Sequence, residues 1–136
     1  MTRSGLSLPG PMLRTALIAA AATFALAACG GDTLQAPTDV GVCWHMVQMK
    51  DGSYRFNKLA VNQPNLENCA AELEGMRQRF NRLGAEQDQV VGAYQGQFLF
   101  LQREGVFTAR NLHTTRYLAM VRTGDGRLAI PGAIKQ

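Results

Sequence analysis

The sequence predicts an α+β fold in which one helix covers one face of an antiparallel sheet. Three observations lead to this class. The pair Asp51-Gly52 separates two strand-like runs, an apolar stripe with helical spacing crosses residues 66–83, and several short strand-like runs follow residue 89. Since glycine-containing turns separate those last runs, they are expected to form a meander.

An N-terminal β-hairpin is predicted from residues 42–60. Asp-Gly is the preferred pair of a two-residue type I′ turn, because both residues tolerate positive φ. This turn would pair Val47 with Phe56, and Cys43 with Ala60. The expected apolar face of the hairpin then carries Cys43, Val47, Met49, Tyr54, Phe56 and Ala60.

An amphipathic helix is predicted over residues 66–83, with Asn65 as its N-cap and Gly84 as its C-terminal stop. Its apolar residues recur at intervals of three and four and form one stripe. The members of the stripe are Leu66, Cys69, Ala70, Leu73, Met76, Phe80 and Leu83.

Four or five further strands are predicted after a polar connection at 85–89. Glycine-containing turns at 103–105 and 123–126 occupy two of the junctions between them, Tyr94-Gln95-Gly96 is either a bulge or a break, and Pro131 ends the last. The predicted strands are residues 90–94, 97–102, 106–109, 117–122 and 127–130.

The N-terminal segment has the order of an export signal. Arg3 and Arg14 supply positive charge, residues 15–25 are apolar, and Leu26-Ala27-Ala28-Cys29 follows. As a helix, the uncharged run before Cys29 would reach only about 21 Å, against roughly 30 Å of bilayer hydrocarbon. Residues Pro9-Gly10-Pro11 break a helix, so Met12 is an alternative start to Met1.

Leu26-Ala27-Ala28-Cys29 resembles the lipobox of bacterial lipoproteins. The resemblance implies a signal peptide at 1–28 and fatty acylation of the Cys29 sulfur, including palmitate, which would hold the chain at the membrane. Gly30 after the cysteine implies the outer membrane, facing the periplasm. The alternative is an ordinary secretory signal that happens to meet a cysteine. Residues 29–41 are polar and are expected to be a lipidated flexible tether, and residues 42–136 one domain.

With Cys29 assigned to lipid, Cys43 and Cys69 remain as a pair in an oxidising compartment. Cys69 lies in the helical stripe and Cys43 on the predicted apolar face of the hairpin, so a disulfide joining helix and hairpin is predicted. It would contribute about 3 to 4 kcal/mol by the loop-entropy estimate. The alternatives are two reduced core thiols or a pair used in thiol exchange.

The formal net charge of the whole chain is +4. Loss of Arg3 and Arg14 with the signal would leave a nearly neutral chain, which offers no electrostatic argument for nucleic acid. The C-terminal part is locally basic and could meet anionic headgroups or an acidic partner, or it is simply the charged face of a sheet. Its basic residues are Arg103, Arg110, Arg116, Arg122, Arg127 and Lys135.

Catalytic, cofactor and metal sites are not predicted. His45 and His113 are the two histidines, and neither has a partner at a metal-ligand spacing. Gly124-Asp125-Gly126 is interpreted as a turn rather than part of a calcium loop. Trp44 is a candidate partner-contact residue or, equally, part of a second small core.

The sequence therefore favours a non-enzymatic envelope lipoprotein that binds a protein or another envelope component; no small-molecule substrate is identified. The alternative is a small inhibitor of a periplasmic or host hydrolase, acting through residues 109–116. An enzyme is the third hypothesis, and it would require a cleft lined by His113 with an acid within hydrogen-bond reach.

Overall fold

The computed structural model describes residues 33–132 and the isolated Gly10; these residues belong to the compact unit 31–136, apart from Gly10. One helix packs against an open antiparallel sheet, so the predicted α+β class is confirmed. The elements in chain order are β1 (Cys43–Gln48), β2 (Tyr54–Ala60), α1 (Leu66–Arg82), β3 (Val90–Tyr94), β4 (Gln97–Leu101), β5 (Val106–Ala109), β6 (Tyr117–Arg122) and β7 (Leu128–Ala129).

The order of strands in the sheet is β2-β1-β3-β4-β5-β6-β7. Helix α1 carries the chain from the edge strand β2 back to β3, which pairs with the other side of β1. From β3 onward each strand pairs with the next one, which is the predicted meander.

The ends of α1 follow the predicted capping chemistry. The Asn65 side chain accepts a hydrogen bond from the Asn68 amide at 2.9 Å, as an N-cap should. At the other end Gly84 adopts a φ of +78°, and the amides of Gly84 and Ala85 donate to the carbonyls of Asn81 and Phe80. These two bonds form a Schellman motif, which satisfies carbonyls that the helix leaves without partners.

The side chains of the strands alternate between two apolar clusters, one on each face of the sheet. We call the side covered by α1 the helix face and the other side the far face. The buried members on the helix face are Cys43, Cys69, Ala70, Leu73, Met76, Val90, Tyr94, Leu99, Leu101, Val106 and Met120. Those on the far face are Ala36, Met46, Ala93, Phe98, Phe100 and Ala109.

Gly92 lets the helix approach the sheet closely. A β-carbon at this position would lie 2.3 Å from Leu73 Cδ1 and 2.7 Å from the Trp44 carbonyl oxygen. The middle of the predicted stripe of α1 is buried against this surface, whereas Leu66 and Phe80 near its ends are partly buried and Leu83 is 80% exposed beyond the end of the helix.

Cys43 and Cys69 form the predicted disulfide, with their Cα atoms 5.2 Å apart. Both residues are fully buried on the helix face. The bond therefore ties α1 to β1 within the larger cluster.

The register between β1 and β2 differs from the predicted one. Met46 pairs with Phe56, and Val47 with Arg55, whereas Cys43 pairs with Ala60 as expected, because a bulge lies between Cys43 and Trp44. Phe56 consequently packs on the far face and not beside Cys43.

The turn between β1 and β2 explains this shift. Met49 N donates to Ser53 O at 2.7 Å, which closes a loop of Lys50, Asp51 and Gly52. Gly52 has a positive φ but Asp51 does not, as a type I′ turn would require. The Asp51 carboxylate instead accepts a hydrogen bond from the Ser53 amide at 3.0 Å, and the loop gains one residue.

Residues 33–41, expected to belong to a tether, lie against the far face without forming a strand or helix. Ala36 is 4% exposed, and the Pro37 carbonyl accepts a hydrogen bond from the Gly96 amide at 2.8 Å. The Gly41 amide donates to Gln95 Oε1 at 3.0 Å. This part of the chain is therefore integrated into the domain, while residues 1–9 and 11–32, including the predicted signal peptide and Cys29, lie outside the described residues.

Within the described part of the chain, α1 is not long and apolar enough to cross a membrane.

Candidate functional site

A cleft of about 460 Å³ opens on the far face, between the ends of β1 to β3 and the loop 110–116. Its volume falls in the usual range of small-ligand sites. Polar and aromatic side chains mix along its wall. The lining residues are His45, Met46, Val47, Gln48, Tyr54, Gln87, Gln89, Val91, Phe100, Leu112, His113 and Arg116.

Arg116 gives the cleft its charge. Its guanidinium carbon lies 3.7 Å from the centroid of the Phe100 ring, and its Nη1 donates to Gln89 Oε1 at 2.9 Å. Gln89 Oε1 also accepts a hydrogen bond from Gln102 Nε2 at 2.6 Å. Stacking on an aromatic ring and one hydrogen bond hold the guanidinium in place while leaving further N–H donors.

Among the described residues that line the cleft, Arg116 is the one with a permanent charge. The ion pairs of the described residues do not include Arg116. The cleft therefore presents a positive charge that is complementary to an anionic group.

Both histidines border the cleft, although the sequence offers no spacing signal that links them. His113 is exposed on the loop 110–116, which folds over the sheet at this point. His45 pairs with Gly92, where a β-carbon would point towards α1, so the His45 side chain points to the helix face and only His113 of the two offers its imidazole to the cleft. His45 is half-buried there, and burial lowers its pKa, which favours the neutral imidazole.

A second pocket of about 390 Å³ adjoins the cleft and is mostly apolar. Three residues, Tyr54, Leu112 and His113, line both. Thr33 and Leu34, the first residues of the described N-terminal segment, also line the second pocket but not the cleft. The two depressions therefore adjoin each other along the loop 110–116.

The loop 109–116, suggested above as an inhibitory element, is anchored at both ends. Ala109 is buried and Leu112 packs against the far-face cluster, while Arg116 stacks on Phe100. Arg110 and the stretch 113–115 are the exposed parts of the loop. Its described contacts make the loop the wall of the cleft.

Trp44 belongs to the far-face cluster, which corresponds to the second small core that the sequence allowed. Lys58 Nζ lies 5.6 Å from its ring centroid, a cation–π contact at the edge of the sheet. Within the described structure the buried Trp44 Nε1 has no hydrogen-bond partner.

Sequence reasoning missed a buried charge cluster on the helix side. Glu74 is only 4% exposed, and its carboxylate oxygens accept hydrogen bonds from Arg77 at 2.9 and 3.0 Å. Arg122 on β6 donates to the same carboxylate at 2.9 and 3.1 Å. The i,i+3 spacing of Glu74 and Arg77 was a signal for half of this cluster.

Burial works to raise the pKa of Glu74, but the hydrogen bonds and charges of Arg77 and Arg122 outweigh it and lower the pKa to about 2. Arg122 also donates to the carbonyls of Gln102 and Arg103. The cluster thus ties α1 to β6 and to the turn after β4, which is a structural role.

The C-terminal basic residues are accordingly divided among different environments. Arg122 is engaged by Glu74, Arg116 lies in the cleft, and the exposed Arg127 is 3.7 Å from Asp125. Lys135 lies outside the described residues. Asp125 also accepts hydrogen bonds from Thr123 and from the Arg127 amide, which is the geometry of a turn.

Among the residues that the structure describes, no group of three histidine, cysteine or acidic side chains is placed to hold a metal ion. Comparisons of the chain with protein-family models, with curated proteins and with solved structures gave no match.

Proposed function

We propose that the chain is a non-enzymatic lipoprotein of the bacterial cell envelope, anchored to the membrane through Cys29, and that its domain acts by binding. Two features support this proposal. The N-terminal residues have the lipobox pattern, and the disulfide between Cys43 and Cys69 suits a compartment in which disulfides persist.

The observation that carries the proposal is the pairing of the cysteines. The chain has three cysteines, and the disulfide uses two of them. Cys29 is then the remaining thiol, and it stands at the one position where the lipobox pattern requires a cysteine. The binding role is proposed from the cleft, whose positive charge is held in place by Phe100 and Gln89.

The proposed anchor would keep the domain close to the bilayer. The described packing on the sheet begins at Thr33 and Leu34. The chain from Cys29 to Thr33 spans at most about 14 Å when fully extended. We therefore expect the far face to lie within reach of the lipid headgroups.

Metabolic labelling with palmitate tests the anchor. We expect label on the wild-type protein and none on Cys29→Ser. The variant should accumulate as an unprocessed or soluble product, and not as a mature form retained in the membrane. The matched control is Cys43→Ser with Cys69→Ser, which removes the other two thiols and should retain the label. Unlabelled wild-type protein, or label on Cys29→Ser, would contradict acylation of Cys29.

A further inference from the structure

We propose that the cleft and the second pocket form one groove that binds an amphiphile with an anionic head group. We call it the amphiphile groove. It is defined by Leu34, Tyr54, Phe100, Leu112, His113 and Arg116.

The two depressions share part of their walls, and this adjacency supports a single groove rather than two unrelated surface pockets. Tyr54, Leu112 and His113 line both of them. With volumes of about 460 and 390 Å³, they offer room for a head group and an attached chain.

One end of the groove suits an anion. The Arg116 guanidinium is half-buried, is held between Phe100 and Gln89, and has no acidic partner within the described part of the chain. A guanidinium can donate two parallel N–H bonds to a phosphate or carboxylate. Half-burial of the site makes such a pair stronger than one in open solvent.

The other end suits an alkyl chain. Leu34 and Leu112 are partly buried there, and the Tyr54 side chain is 37% exposed beside them. An alkyl chain lying along these side chains would remove their remaining apolar surface from water. The charge and the apolar wall are therefore separated along one groove, as they are in an amphiphile.

The source of the amphiphile is inferred from the position of Thr33. This residue lines the apolar end and follows Cys29 by four positions in the sequence. Identification of the amphiphile as a membrane phospholipid rests on the proposed anchor, whereas the groove itself does not. A free alkyl phosphate or fatty acid would present the same chemistry.

Photocrosslinking tests the groove in the full chain, placed in phosphatidylcholine nanodiscs. The probe is decyl phosphate with a diazirine near the end of its chain, used below its micelle concentration. We expect crosslinks at 33–34 and 111–114. Unlabelled decyl phosphate should compete at least tenfold better than butyl phosphate, while inorganic phosphate and decyl maltoside should not compete. Crosslinks elsewhere, or equal competition by all four compounds, would overturn the groove.

Two substitutions test the head-group end. Arg116→Gln should weaken competition by unlabelled decyl phosphate at least tenfold. Arg116→Lys keeps the positive charge and should weaken it by less. Arg103→Gln removes an exposed arginine from the turn after β4 and should stay within twofold of wild type. If Arg116→Gln unfolds the domain, the comparison of decyl phosphate with butyl phosphate on wild-type protein still tests whether the groove binds an amphiphile. Equal competition in folded Arg116→Gln and Arg103→Gln would refute a role for Arg116.

Replacing phosphatidylcholine in the nanodiscs by phosphatidylglycerol tests whether the bound amphiphile is a membrane lipid or a free molecule. Suppressed crosslinking supports a membrane lipid as the occupant, and unchanged crosslinking supports a free amphiphile in the same groove. Palmitate on Cys29 is scored separately on the same preparation. The anchor and the groove can therefore fail independently of each other.

Discussion

On the helix face, α1 covers the buried side chains of the sheet with one regular element, and the disulfide Cys43–Cys69 ties it down. The far face is also apolar, with Phe98 and Phe100 fully buried, but two irregular segments cover it, 33–41 and 110–116. A helix can bury a continuous stripe, whereas irregular segments contact the sheet at a few points. We therefore expect the helix face to be the more stable layer, although a depression of about 390 Å³ also lies on that side, between α1 and the strands β6 and β7.

The first test of this comparison truncates one leucine under each cover. Leu73 is fully buried in α1 against Gly92, and Leu112 is partly buried in the loop 110–116. We expect Leu73→Ala to lower the free energy of unfolding by about 3 kcal/mol, because a cavity forms in a rigid layer. Leu112→Ala should lower the free energy of unfolding by about 1 kcal/mol, since the loop can relax into the space that the smaller side chain leaves. Urea unfolding measures both, and equal losses would remove the distinction between the faces.

The second test concerns pH and the Glu74 cluster. The pKa of Glu74 in the folded state is lowered to about 2 from its ordinary value of 4.5. Its contribution to stability is therefore present above about pH 4.5 and is lost as the pH falls towards about 2. We expect wild-type protein to lose about 2 kcal/mol across this window through this group.

Glu74→Gln is the comparison for that titration. At pH 7 the variant should be about 2 kcal/mol less stable than wild type, because Arg77 and Arg122 lose a buried anionic partner. The difference should shrink as the pH approaches about 2. A difference that stays constant between pH 7 and pH 2 would show that the carboxylate charge is not the cause.

The smallest expected effect is on the far face. Arg116→Gln should change the free energy of unfolding by only about 0.5 to 1 kcal/mol, the usual range of a partly exposed cation–π contact. Thermal unfolding in the absence of amphiphile measures it. A loss as large as that of Glu74→Gln would make Arg116 a structural residue and would weaken the contrast between the two faces.

Sequence patterns predicted the helix face well, since each of its elements carries a local signal. Asn65 and Gly84 mark the ends of α1, and Cys69 and Leu73 lie in a stripe whose period is set by the helix itself. The pairing of Cys43 with Cys69 was also predicted, but only the helical period was confirmed: the predicted hairpin face placed Cys43 beside Phe56, whereas a bulge after Cys43 puts the two residues on opposite faces.

The register of β1 and β2 was predicted incorrectly for a physical reason. Asp51-Gly52 signals a turn, but the number of loop residues depends on which of them takes a positive φ. The Asp51 carboxylate bonds to the Ser53 amide, Gly52 alone takes the left-handed conformation, and Phe56 moves to the other face. A one-residue change in a turn reverses every side chain of a strand.

The sequence by itself determined the fold class and the helix with its caps, because each depends on residue spacing within an element, and it favoured the disulfide that the tertiary structure closes between β1 and α1. Only the tertiary structure decided the coverage of the far face by residues 33–41 and the meeting of His113 and Arg116 with residues of β1 at one cleft. It also decided the burial of Glu74 between Arg77 and Arg122. These contacts join parts of the chain that are distant in sequence, and their geometry comes from packing rather than from any repeating pattern.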